Sequence, residues 1–346
     1  MSVFCNFCSN KVASSEQLHN ILIYQVIMHR SKKPGLTFYL YRYGGLFMTP
    51  PLISYSTFHR MGLTVRNLSS LLKTTDDFEL HIIDSNSQDD TWEFIQSLND
   101  SRIKSRIRFP VNLGPIYPIN LNLTRRRPDQ YFIVLESDVC LHAPDWISRF
   151  MRVFETFPEV GLLGIPRPIP LPGFEPEVIT IEKNGISYDQ LKYCEVGTIR
   201  DFVPGHCQCL SPELIPAIGY WCEENGYGDA ELSVRINKYT SYKAGFITSI
   251  PIDLTQAIPC DTCEGYSMCK LDKTAETCFD IRNSKYKNLS FSTANRWKYI
   301  DYFNELNEGK RTVYCASIHD PVSYSTHFYH MDWALDNFSY YAVNSN

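Results

Sequence analysis

Two carboxylates, Glu136 and Asp138, follow the run YFIVL (residues 131–135) with only Ser137 between them. Five apolar or aromatic residues giving way to polar ones predict a buried strand leaving a sheet. Acids at such a point serve either as solvated loop residues or as ligands for a divalent ion, and the pair alone does not choose between the two. A second acidic loop, Asp84 to Asp90, follows the apolar run ending at Ile83. Its bland role is an Asx-turn that also caps a helix from Thr91. A third pair, Asp229 and Glu231, opens a stretch with helical character. Asp229 could act there as a proton acceptor or simply as a cap.

Cysteine supplies other chemistry. Cys5 and Cys8 form one CxxC; Cys260 and Cys263 form another, with Cys269 and Cys278 close behind. Thiolates at these spacings can close a tetrahedral structural Zn²⁺ site, but they can equally be disulfides or plain thiols. Cys140 and Cys194 are most simply small buried side chains. Among histidines, His327 and His330 sit in STHFYHMDW and His206 in VPGHCQC. A histidine among aromatics is more often packed than ligating.

The chain has 346 residues, 44% apolar and 21% charged, with a formal net charge of -5. The length suits one large α/β domain with additions or two modest domains, and the composition fits a globular protein and excludes a disordered one. Net negative charge argues against broad nucleic-acid binding, and Arg125, Arg126 and Arg127 form a local solvated cluster. No apolar run approaches the length of a transmembrane helix, and MSVFCNFCSNK lacks an apolar signal core, so a cytoplasmic protein is expected.

The elements that must position these residues alternate. After an extension at 1–48, holding a predicted helix SEQLHNILIYQVIMHR and a strand-like run LTFYLYRY, come a strand in PLISYSTFHRMG, a helix in TVRNLSSLLKTT capped by Thr64, and a strand in FELHIID. A helix DTWEFIQSLN, a strand RIRFPVN, a helix INLNLTRRR and the strand YFIVL follow. Strand–helix alternation implies a mostly parallel sheet with crossover helices, whose ligands collect at the carboxyl ends of the strands. Three loops therefore converge: Asp84 to Asp90, Asn112 to Gly114, and Glu136 to Asp138. Beyond residue 165 the pattern loosens, with an Asn184-Gly185 hairpin signal and a helix opening at Ser211-Pro212-Glu213. No GxGxxG or GxxxxGKS phosphate cradle is present.

The order TFHRMG, NLSSLL, LHIIDSNSQDDT, NLGPIYPIN, YFIVLESDV and GYGDAELSVRI resembles the GT-A-fold glycosyltransferases of the inverting family 2 type, over roughly Leu52 to Gly245. The resemblance implies an α/β GT-A domain at 49–250, a mostly parallel Rossmann-like sheet flanked by helices. The N-terminal extension would precede it, and a Cys-rich, aromatic region at 251–346 would complete the acceptor side. It implies a nucleotide-sugar donor, most simply a UDP-sugar, and an acceptor hydroxyl on an unidentified glycan, lipid or protein. Mn²⁺ or Mg²⁺ would neutralise the departing diphosphate. Glu136-Ser137-Asp138 stands at the family's Asp-x-Asp, with Asp138 on the metal and Glu136 a departure from the pattern. Asp84 would accept from the base edge. Thr57, His59, Arg60, Asn112, Gly114 and Ser137 would line the donor pocket. Asp229 would be the catalytic base with Glu231 as runner-up, and Gly228 stands where the family has Glu. His327 and His330 are candidate further metal ligands, His206 a site wall, and Trp221 either an acceptor platform or core. Two other readings are a sugar-phosphate nucleotidyltransferase, disfavoured because no Gly-rich loop opens the chain, and a zinc-stabilised binding module without catalysis.

Overall fold

A computed structural model of the chain describes residues 41–43, 46–168, 175–196, 201–254, 260–262, 266–267 and 289–344. A short hairpin comes first, β1 (Tyr41–Tyr43) with β2 (Leu46–Met48). Then β3 (Leu52–Thr57), α1 (Met61–Leu72), β4 (Glu79–Asp84), α2 (Thr91–Ser97), β5 (Ile103–Arg108), α3 (Ile116–Leu123) and β6 (Phe132–Glu136) alternate as expected. Strand β3 pairs in parallel with β4 and with β6, and β4 pairs in parallel with β5. The register sets Thr57 beside Asp84, Asp84 beside Arg108, and Ser56 beside Glu136, so these residues share one level of the sheet.

The remaining elements are β7 (Val139–Leu141), α4 (Trp146–Thr156), β8 (Val160–Gly164), β9 (Val178–Lys183), β10 (Ile186–Leu191), β11 (Cys207–Leu210), α5 (Ile215–Ile218), α6 (Gly228–Tyr239), β12 (Lys243–Phe246) and β13 (Ile252–Leu254). After a single turn at Cys260–Thr262 come α7 (Leu289–Asn307), α8 (Pro321–Thr326) and α9 (Met331–Asn344). The main sheet has nine strands in the order β5-β4-β3-β6-β11-β8-β12-β10-β9. Its first four strands form the parallel block; β11 then runs antiparallel to both β6 and β8.

Both faces of the sheet are covered, which explains the unbroken apolar run YFIVL. Ile133 and Leu135 pack with Ile53, Tyr55, Leu71 and Trp146 on one face. Phe132 and Val134 pack with Leu52, Leu162, Leu210 and Leu232 on the other. The Asn184-Gly185 signal is a two-residue turn between β9 and β10, with φ of 55° and 75°. Such angles match the twist of a hairpin.

One boundary differs from expectation. Helix α1 starts at Met61, three residues before Thr64, because His59 and Arg60 both take left-handed φ values, 57° and 61°, and turn the chain early. Asp89 Oδ2 accepts from the Met61 N–H at 3.0 Å. Thr64 lies inside the helix, buried, its hydroxyl 2.9 Å from that of Thr57.

Candidate functional site

The carboxyl ends of β3, β4 and β6 form one rim, with Thr57, Asp84 and Glu136 at successive strand tips. Asp84 is fully buried. Both its oxygens accept from the Ser87 N–H at 3.2 Å, and Oδ1 also accepts from the Ser87 hydroxyl. Arg108 Nε stands 3.3 Å from Oδ2. Burial pushes the Asp84 carboxyl up; the Ser87 bonds and then Arg108 pull against it. Ser87 is also the acceptor for the His59 N–H at 2.7 Å, while His59 Nδ1 accepts from the Gln88 N–H at 3.2 Å. The acidic loop after β4 and the left-handed corner before α1 are thus one hydrogen-bonded unit.

The Glu136–Asp138 loop is held from α1. Asn67 Nδ2 donates to the Ser137 carbonyl at 2.8 Å, and Arg60 Nη2 lies 3.4 Å from the Ser137 hydroxyl. Asp138 is fully buried and acts electrostatically on Tyr55 and His206. His206 comes from the turn before β11, and its carbonyl accepts from the Glu136 N–H at 2.9 Å. Burial first, and Arg167 against the pull of Asp138, lower the His206 imidazole to about 4, so it is neutral near pH 7. Neither ring nitrogen makes a hydrogen bond of normal geometry, although the Ile165 backbone lies close by.

Asp229 meets this loop from the other side. In the first turn of α6, its Oδ2 accepts from the Gly205 N–H at 3.1 Å and its Oδ1 from the Ala230 N–H at 2.9 Å. A Cβ placed on Gly205 would lie 3.6 Å from Glu136 Oε1 and 3.7 Å from Asp229 Oδ2. The two carboxylates therefore flank the same glycine. Burial raises the Asp229 carboxyl, opposed by those backbone bonds and by Arg167. A carboxylate kept partly open to solvent, held by two N–H donors and shifted upward suits a proton acceptor. Oxygen donors of the Glu136–Asp138 kind, beside a neutral imidazole, suit a hard divalent ion such as Mn²⁺ or Mg²⁺.

Other expected residues lie elsewhere. Glu231 is fully buried and its carboxylate is committed to Arg235, at 2.7 Å and 3.1 Å. Two residues along a helix turn the side chain by about 200°, so Asp229 and Glu231 face opposite ways. His330 is committed to Glu305, 2.8 Å from its Nε2, and stacks on Trp333; His327 stacks on Tyr314. The structure does not gather either histidine with Asp138: among the described residues, the groups of three or more with donor atoms within 4.8 Å of one another are Cys140–His142–Asp253 and Cys222–Glu224–Cys315. Trp221 is core, packed on Phe132, with Nε1 3.3 Å from Gln208 Oε1. Asn112 Oδ1 accepts from the Gly114 N–H at 2.9 Å in a turn covered by Tyr341 of α9. Cys5, Cys8, Cys263, Cys269 and Cys278 lie outside the described residues, and Cys260 stands in the turn after β13.

Two participants were missed. Asn67 opens the NLSSLL segment, which assigns it no role of its own, and Arg167 sits in a proline-rich loop with no motif around it. Only the folded chain brings them to the loop after β6 and to Asp229.

Residues 56–215 match the family model described as glycosyl transferase family 2. Structural likenesses include a 1–349 fragment of Staphylococcus aureus TarS in complex with UDP-GlcNAc, 14% identical, covering 58% of this chain and 56% of that one, with a TM-score of 0.42. They also include the Pyrobaculum calidifontis mannosyltransferase PcManGT in complex with GDP-Man and Mn²⁺, 12% identical, covering 93% and 81%, with a TM-score of 0.48. The glucosyl-3-phosphoglycerate synthase of Mycobacterium tuberculosis, in complex with Mn²⁺, UDP and phosphoglyceric acid, is 15% identical, covering 57% and 68%, with a TM-score of 0.38. The chain spans about half the length of the first of these. No curated protein matches it in sequence. Among the described residues, no helix is long and apolar enough to cross a membrane.

Proposed function

We propose that this chain, whose residues 56–215 match the glycosyl transferase family 2 model, moves a sugar from a nucleoside-diphosphate sugar to an acceptor hydroxyl with inversion at the anomeric carbon. The observation that carries the reading is the meeting of Glu136 and Asp229 at Gly205, with Asp138 in the same loop.

Asp229 accepts the proton of the acceptor hydroxyl as its oxygen forms a bond to the anomeric carbon. The bond from that carbon to the diphosphate oxygen breaks on the opposite face. The bonds from Gly205 and Ala230 hold the carboxylate in place through the step, and Arg167 stabilises its charged form before it takes the proton. A divalent ion held by Asp138, with His206 at hand, would supply charge neutralisation for the departing diphosphate. Glu136 faces the ribose or an ion-bound water. Asp84 serves the base edge, while Thr57, His59, Arg60 and Ser137 shape the donor pocket around it. Asn112 and Gly114 support its floor through their turn. A UDP-sugar is the preferred donor in this reading.

The test is a panel of UDP- and GDP-sugars with Mn²⁺ or Mg²⁺, scored for donor hydrolysis and for nucleotide release. Turnover that disappears in Asp138→Ala, with an unchanged circular dichroism spectrum, supports the reading. Nucleotide binding with no turnover for any donor, with or without metal, rejects transfer.

A further inference from the structure

Three donor side chains converge on the small sheet formed by β7 and β13, outside the groups assigned to sugar transfer. The two strands are antiparallel, and the register sets Cys140 directly opposite Asp253. Opposed residues on one face of such a pair hold their Cβ atoms about 5 Å apart. His142 lies two residues beyond Cys140 and so returns to the same face, diagonal to Asp253. The convergence follows from strand pairing, and the side chains complete it. His142 Nε2 is 3.0 Å from Asp253 Oδ2, and one donor atom from each of the three residues lies within 4.8 Å of the others.

We propose that Cys140, His142 and Asp253 bind a borderline-soft divalent cation, Zn²⁺ in the first instance, with solvent as the fourth ligand. Thiolate, imidazole and carboxylate together are a zinc-type donor set, whereas hard ions such as Mg²⁺ take oxygen ligands. Binding forms the sulfur–metal bond and expels the Cys140 thiol proton to solvent. Arg66, on α1, donates to Asp253 Oδ2 at 2.7 Å and so orients the carboxylate, as outer partners of ligating carboxylates do. His142 and Asp253 are about half exposed, which leaves the site an entry path, while Cys140 is buried on the strand behind them. The other cluster, Cys222–Glu224–Cys315, is closed to solvent, and both oxygens of its carboxylate are already bound to Arg311. It offers no room for a second cation.

The test uses the full chain, stripped with chelator and titrated with Zn²⁺ or Co²⁺. Other cysteines can also take metal, so the readout is the difference between the parent protein and His142→Ala, Asp253→Asn and Cys140→Ser. Each variant should bind one equivalent fewer at a Zn²⁺ concentration that saturates the parent, or at least tenfold more weakly. Cys140→Ser should also lose part of the thiolate-to-cobalt charge-transfer absorption. His142 is exposed, so His142→Ala keeps the question answerable if Cys140→Ser fails to fold. Asp138→Asn should retain the equivalent that depends on His142, which separates this site from any ion used in transfer. Unchanged stoichiometry, affinity and cobalt absorption in His142→Ala would overturn the proposal.

Discussion

The Gly205 N–H donates to Asp229 Oδ2 at 3.1 Å, and that bond ties the first turn of α6 to the turn that precedes β11. Because the His206 carbonyl accepts from Glu136 in the same turn, one short segment sets the distance between the acidic loop and the proposed base. Replacing Asp229 with Asn keeps the shape and removes the proton acceptor. The expected loss in kcat is roughly 10²–10⁴-fold, with donor binding retained. Steady-state kinetics beside nucleotide titration calorimetry checks both halves.

The same residue predicts a pH profile. Burial raises the Asp229 carboxyl in the folded protein, and the base works only when deprotonated. Activity should therefore fall as pH is lowered through a value higher than that of a free aspartate, and recover as it is raised. A kcat/KM profile on the acid side measures it. A limb at or below the value of a free aspartate would assign the titration to another group.

Asn67 is expected to act through Ser137. Its amide holds the loop carbonyl at 2.8 Å, between the residues assigned to ribose and metal. Asn67→Ala should raise the metal concentration needed for half-maximal activity and the KM for donor, while costing only about 1 kcal/mol of stability. A purely structural role would lower stability without moving the metal dependence, so metal titrations of the variant separate the two.

Arg311 carries a different kind of burden. It is nearly inaccessible, binds both oxygens of Glu224 at 3.0 Å and 3.1 Å, reaches Glu305 at 2.6 Å, and lies 4.2 Å over the ring of Tyr302. Arg311→Ala leaves the Glu224 carboxylate buried without its cation, an outcome that costs about 3–5 kcal/mol. Denaturant unfolding of the variant should show that loss in the midpoint at unchanged slope.

How much of this was legible in the sequence follows from the range of each interaction. Strand–helix alternation and the apolar runs set Asp84 and Glu136 at strand tips on the same rim, because a parallel sheet puts every such loop there; in the structure β3 lies between the two strands. The base could be narrowed only to Asp229 or Glu231. Residue order does not say which side of α6 faces the rim, and Glu231 turned out to serve Arg235 inside the core. His330 is a candidate ligand that packing among aromatics weighs against, and in the structure Glu305, brought from α7, lies 2.8 Å from its Nε2. Thr64 had the chemistry of a cap, but two consecutive left-handed residues at His59 and Arg60 moved the start of the helix. His330 turns on a partner from a separate helix, whereas Glu231 and Thr64 turn on neighbours four or five residues away, whose facing and backbone angles residue order alone does not state.

Gly228 is the departure that packing explains best. It stands where the resemblance calls for Glu, yet a Cβ there would come within 2.6 Å of Ile116 Cδ1 and 3.7 Å of the Trp221 ring. Ile116 can swing its terminal methyl aside for one added carbon, so Gly228→Ala should be tolerated at a cost of about 1 kcal/mol or less, helped by the better helix propensity of Ala. A carboxylate has no comparable escape: Gly228→Glu forces a charge against α3 and a buried indole, and should destabilise by several kcal/mol. If thermal unfolding instead shows Gly228→Glu as stable as the parent with activity raised, the site has room for the family's acid, and the steric reading of this glycine is wrong.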